Sequence, residues 1–147
     1  MDAASEYRQR AVESASPVGL VVLLYGGAVT ALLRAMAAME ANNVERRVAE
    51  LNKVFAIISQ LQGTLDFEKG GSVALQLDKF YHVMRSQVME ASVKKSKPIL
   101  EELVQHMTML KEAWQQVERE VFDKGVTGIG HLPSVTLSSY TPTAQSL

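Results

Sequence analysis

Cysteine is absent from this 147-residue chain. That absence excludes disulfides, thiolate zinc sites, iron–sulfur clusters and a cysteine nucleophile, and it fits a reducing compartment. An excess of either charge is also missing: 15 Lys+Arg face 16 Asp+Glu, for a formal net charge of -1. Nothing in that balance provides the basic face that nucleic acid requires. Catalytic motifs are lacking too. Gly26-Gly27 lies inside a helical pattern, and Gly70-Gly71 is followed by no Lys-Ser/Thr pair, so there is no phosphate-binding loop. No Gly-x-Ser-x-Gly elbow for a nucleophilic serine appears. A di-iron bundle needs Glu three residues before a ligating His, but Lys79, Leu103 and Gly128 precede His82, His106 and His131. Asp78–His82 and Glu102–His106 are i,i+4 pairs of the kind that form ion pairs on helix surfaces. Asp66 and Glu68 read as loop solvation and capping rather than paired acid–base carboxylates. No metal and no cofactor is expected, and the balance moves from enzyme toward binding protein.

What is present is apolar periodicity. Hydrophobic residues make up 47% of the chain and charged residues 21%, a globular balance for one domain. Val44, Val48, Leu51, Val54, Phe55, Ile58, Leu61 and Leu65 trace one helical face, with Glu45, Arg46, Arg47, Glu50 and Lys53 on the other. The segment DFEKGGS, residues 66–72, interrupts the pattern as a loop. A second stripe runs through Val73, Leu77, Phe80, Tyr81, Met84, Val88 and Ala91, and ends at Lys94 and Lys95, cations suited to a helix C-terminus. Ser96 is a candidate N-cap before Pro98. The last stripe is Leu100, Leu103, Met107, Leu110, Trp114, Val117 and Val121.

Three such helices joined by short loops leave a seam for a fourth. Residues 14–33, SASPVGLVVLLYGGAVTALL, supply it. Ser16-Pro17 is a helix-start signal, and Asn42-Asn43 is the turn that follows. The apolar run 15–33 also approaches the roughly 20 residues that span a bilayer. Arg8 and Arg10 ahead of it, with Ala35-Met36-Ala37 behind, have the look of a signal peptide. Against a membrane role stand Glu13, Pro17, the fade into Gly26, Gly27, Ala28 and Ala31, and the loss of a partner for the other helices. The expected fold is all-α: an antiparallel four-helix bundle over residues 1–124, with helices at about 16–41, 44–65, 72–94 and 97–123. A short arm or helix, residues 1–15, precedes it. The tail, residues 125–147, carries three glycines, two prolines, eight Ser/Thr and no charged side chain, and reads as irregular.

Two features ask for a binding explanation. Each Gly of Gly26-Gly27 costs roughly 0.5–1 kcal/mol in a helix interior. Close approach of a partner's backbone or tight packing within the bundle would each justify it. Leu20, Val21, Val22, Leu23, Leu24 and Tyr25 cover the whole helix circumference, more than one buried stripe needs. The surplus would be covered by the arm around Tyr7 or be left as a groove for an amphipathic segment. Met36, Met39, Met84, Met89, Met107 and Met109 would make such a surface adaptable, or would simply fill the core.

The sequence resembles the flagellar secretion chaperone family (FliS). The resemblance rests on Tyr7, VESASPVGLVVLLYGGA at 12–28, LQGTLDFEKGG at 61–71, VALQLDKFY at 73–81 and KEAWQQV at 111–117, in register from residue 7 to residue 122. It implies a cytoplasmic export chaperone without enzymatic activity. Such a chaperone binds the disordered C-terminal segment of flagellin, prevents its premature polymerisation, and is recognised at the flagellar type III export gate when loaded. It also implies no nucleic-acid partner and no stable membrane insertion, and leaves a homodimer open. The client-contact residues it implies here are Tyr7, Val12, Leu20, Leu24, Tyr25 and Ala28, with the aromatic arm covering the empty groove. The family usually carries an acidic residue after the aromatic of the LY motif, where this chain has Gly26.

Overall fold

The computed structural model describes Ala3 and residues 17–124, with side chains described through residue 120. The arm and the tail 125–147 therefore lie outside the described residues, except for Ala3. Four α-helices follow one another: α1 Pro17–Glu40, α2 Val44–Gly63, α3 Phe67–Lys94 and α4 Lys97–Lys124. Connections of only two or three residues reverse the chain at each corner, so neighbours pack antiparallel. α1 packs on α2 and α4, and α3 closes the square against the same two helices.

Local chemistry sets each corner. Asn42 takes a left-handed φ of 56°, and Asn43 caps α2 by accepting from the Arg46 N–H at 3.0 Å. Thr64 closes α2, donating its hydroxyl to the Leu61 carbonyl at 2.7 Å. Lys95 ends α3 in the left-handed conformation, φ 53°. Ser96 then caps α4, with the Ile99 N–H 3.4 Å from its hydroxyl. At the α4 start, Lys97 pairs with Glu40 at the end of α1.

The second corner differs from the sequence expectation. DFEKGGS is not one continuous loop. Asp66 accepts from the N–H groups of Glu68 and Lys69, at 3.1 and 3.0 Å, and so starts a helical turn at Phe67. Gly71 then breaks the helix with φ 53° and ψ -129°, a backbone conformation that glycine alone adopts readily. The long part of α3 proceeds from there.

The core is a single cluster built from all four helices, with Leu32, Ile58, Met84, Met107 and Leu103 wholly buried. Burying each such side chain is worth about 1.5–3 kcal/mol. The expected stripes of α3 and α4 are the buried ones, apart from half-buried Val73 and from Val121, whose side chain is not described. In α2 the face is rotated at its start. Val44 and Val48 are 54% and 41% exposed, while Arg47 and Glu50, expected on the solvated face, are buried. Arg47, Glu50, Leu51, Val54, Ile58 and Leu61 themselves step by three and four, so the helix keeps its period and turns slightly.

Candidate functional site

The sequence-predicted contact residues separate into three groups. Tyr7 and Val12 lie outside the described residues. Leu20 and Leu24 are half-buried, Leu24 packed against the core. Tyr25 and Ala28 have no exposed surface at all. The Tyr25 hydroxyl lies 2.6 Å from that of Tyr81, and Ala28 belongs to the core cluster. Both therefore hold the bundle together and show nothing to a partner on its outside. The apolar surplus of α1 is instead displayed by Leu23 and Leu33, 40% and 51% exposed.

Beside Leu23 a cleft of about 840 Å³ opens between α1, α2 and α4. Gly26 and Gly27 line it on α1, and Arg34 stands farther along the same helix. α2 contributes Glu50 and Lys53; α4 contributes Lys111. A Cβ built on Gly26 would meet only the end of the Lys111 side chain, at 3.7 Å, and one on Gly27 would meet the Ile57 Cδ1 at 3.3 Å. The Ile57 side chain packs against Gly27 so closely that a Cβ there would force it to shift, whereas Gly26 has room for a Cβ beneath the end of Lys111. The two glycines shape the cleft.

Glu50 is the most constrained polar group in this cleft. Its side chain is 2% exposed, beneath Arg46 and Lys53, which are themselves more than half exposed. Its Oε2 accepts from Arg46 Nε at 3.1 Å and from Lys53 Nζ at 3.3 Å. Burial pushes the carboxyl pKa up, but the hydrogen bonds and charges of Lys53 and Arg46 outweigh burial and hold it below the ordinary value. Its Oε1 has no hydrogen-bond partner. Sequence reasoning placed Glu50 and Lys53 on a solvated face and passed over Arg34 and Lys111. The one signal pointing here was the glycine pair.

α1 is long and apolar enough to cross a membrane by length and composition, with mean hydropathy 1.9 over its most apolar window. Half of that window is buried against the bundle, as in the core helix of a globular domain. Of the two described histidines, His82 is exposed and His106 is part-buried. His82 pairs with Asp78 at 3.4 Å and His106 with Glu102 at 4.0 Å. Burial beside Phe80 pushes the His106 pKa down, and Glu102 opposes that shift. Among the described residues no three His, Asp or Glu side chains converge as metal ligands.

Known proteins match this bundle along most of its length. The family described as flagellar protein FliS matches residues 1–121. The flagellar secretion chaperone FliS of Vibrio cholerae serotype O1 is 30% identical over 128 residues, covering 84% of this chain and 94% of its own. The protein of the same name from Salmonella typhimurium is 34% identical over 110 residues, covering 74% and 82%. That from Bacillus subtilis is 28% identical over 123 residues, covering 83% and 91%. By the extent of the family match and the identity of these relatives, the chain belongs to the flagellar secretion chaperone family, FliS.

Proposed function

We propose that this protein is a cytoplasmic export chaperone for flagellin. It binds the disordered C-terminal segment of the client, keeps it from polymerising early, and delivers it to the flagellar type III export apparatus. The observation that carries this reading is the family match over residues 1–121. The apolar surface that α1 keeps outside the core, at Leu20, Leu23 and Leu24, supports it. Ordering a disordered segment costs free energy, which favours a large, wrapped, apolar interface over a small one. The mechanism is mass action: bound client is withdrawn from polymerisation, with no bond made or broken, so no cofactor is needed. In the empty chaperone the arm bearing Tyr7 and Val12 covers the surface that the client takes.

Calorimetric titration with the C-terminal segment of flagellin from the same genome tests the reading. One-to-one binding with a large negative heat-capacity change is the expected result. A soluble, helical protein that releases no heat with that segment would remove flagellin as the client. A Tyr7→Ala variant should change the affinity and leave the helical circular dichroism intact; equal loss of both would make Tyr7 a core residue instead.

A further inference from the structure

A second apolar surface lies apart from the α1 face, at the α2–α3 corner and along the first turns of α3. Phe67 and Leu75 are 50% and 55% exposed there, while Leu65 and Val73 are half-buried and packed on the core. These residues flank the Gly71 break. The end of α4 comes out at the same end of the bundle. Phe80 of α3 and His106 of α4 pack with ring centroids 6.5 Å apart, on helices that run antiparallel. Thirteen residues lead from Phe80 back to Phe67, and 18 lead from His106 on to Lys124. At 1.5 Å per residue, α4 therefore passes Phe67 by about 7.5 Å before residues 125–147 begin. Those residues lie beyond the family match, which stops at residue 121, and they carry no charged side chain. They do carry Val126, Ile129, Leu132, Val135, Leu137 and Tyr140, apolar bodies without the charge that keeps a free segment solvated.

We propose that residues 125–133 fold back along α3 and cover Phe67 and Leu75, so that the chain's own tail closes this corner. Gly125 and Gly128 supply the reversal, as glycine does just past a helix end. Leu75 stands eight residues after Phe67, at most about 12 Å along α3. An extended chain covers that distance in about four residues at 3.3–3.6 Å each. Ile129 placed on Phe67 therefore brings Leu132 to Leu75, and Pro133 keeps the segment from continuing as a helix. The arm fits this corner poorly on two counts. It leads into α1, which lies diagonally across the bundle from α3, whereas α4 is a direct neighbour of α3. It also carries Asp2, Glu6, Arg8, Arg10 and Glu13, charges that an apolar corner does not match. The docked tail holds the Phe67 turn and the Gly71 break in place. It leaves the α1 surface at Leu20, Leu23 and Leu24 to the client.

The chain has no cysteine, so an introduced pair reports the contact without background. In the full chain, Leu75→Cys with Leu132→Cys should close a disulfide in a glutathione redox buffer at least about tenfold faster than Leu23→Cys with Leu132→Cys. The tether alone favours the control. Lys111 lies over Gly26, which puts Leu23 about 15 Å back from the level of Lys124, against about 20 Å for Leu75. Separately, I129D with L132D in the full chain should speed amide exchange over residues 66–76 at least about tenfold and leave it unchanged in α1 and α2. Equal closure of the two cysteine pairs, or faster closure with Leu23→Cys, overturns the proposal. So does exchange over residues 66–76 that I129D/L132D leaves unchanged. A disulfide that forms only between chains would make the tail of a second copy the occupant, with the same consequence.

Discussion

The hydroxyls of Tyr25 on α1 and Tyr81 on α3 lie 2.6 Å apart in the centre of the bundle, with ring centroids 6.5 Å apart. They join two helices that share little other surface. Either hydroxyl can be the donor in this pair. Tyr81→Phe leaves the buried Tyr25 hydroxyl without that partner, so it should lower stability by about 1–3 kcal/mol. The double change Tyr25→Phe/Tyr81→Phe should cost less than the sum of the single changes, because no orphan hydroxyl remains. Urea denaturation of the four proteins as a double-mutant cycle measures the coupling.

The same pair makes the fold sensitive to alkali. Burial pushes the Tyr81 pKa up to about 12 and holds that of Tyr25 well above the ordinary value of 10.0. A phenol with a folded pKa above its unfolded one stabilises the fold fully below the unfolded value, and that contribution fades as pH rises past it. Stability should therefore fall between about pH 10 and about pH 12. Tyr25 and Tyr81 should ionise only as the helical signal is lost, and tyrosinate absorbance from either one while the helical signal is intact would contradict their burial.

The sequence was legible where apolar residues repeat at helical spacing. Leu77, Phe80, Tyr81, Met84, Val88 and Ala91 were expected in the core and are buried there. It was illegible where two patterns share a period. In α2, Val48 and Arg47 stand three and four residues before Leu51, so both fit its helical face, and it is the arginine that is buried. That Tyr25 and Ala28 lie on the buried side of α1 was not legible, for a related reason. A helix apolar on all sides gives no periodic signal of which side faces inward. The cleft cations Arg34 and Lys111 lie 77 positions apart, a juxtaposition that only the packing of α1 on α4 creates.

Glu50 should set the acid limit of the fold. Its carboxyl pKa lies below the ordinary 4.5: burial raises it, and Lys53 and Arg46 together more than reverse that. A depressed folded pKa gives stability that is present above the unfolded value and lost as pH falls through the folded one. Glu50→Gln should lower stability near neutral pH by about 1–2 kcal/mol, through loss of the charged acceptor. It should also flatten the melting temperature against pH below about 4.5. An unchanged acid profile in Glu50→Gln would show that the arginine and lysine above it contribute nothing net, as exposed ion pairs often do.

Two glycines that look alike in sequence should respond oppositely to alanine. Gly63 ends α2 with no atom within 4 Å of a built Cβ and no left-handed φ, so its only effect is to loosen the unfolded chain and the helix end. Gly63→Ala should stabilise by about 0.5–1 kcal/mol. Gly71 also has open space around its Cβ, but its φ of 53° with ψ of -129° is a conformation for which an L side chain incurs strain. Gly71→Ala should destabilise by about 1–3 kcal/mol. It has a second way out: adopting helical φ/ψ, which would straighten the break and move the Phe67 turn. Thermal melts of both variants, with hydrogen exchange over residues 66–74, separate these results. If Gly71→Ala melted at or above the parent temperature with slower exchange across that corner, the break would be a low-cost alternative to a continuous helix rather than a conformation the corner demands.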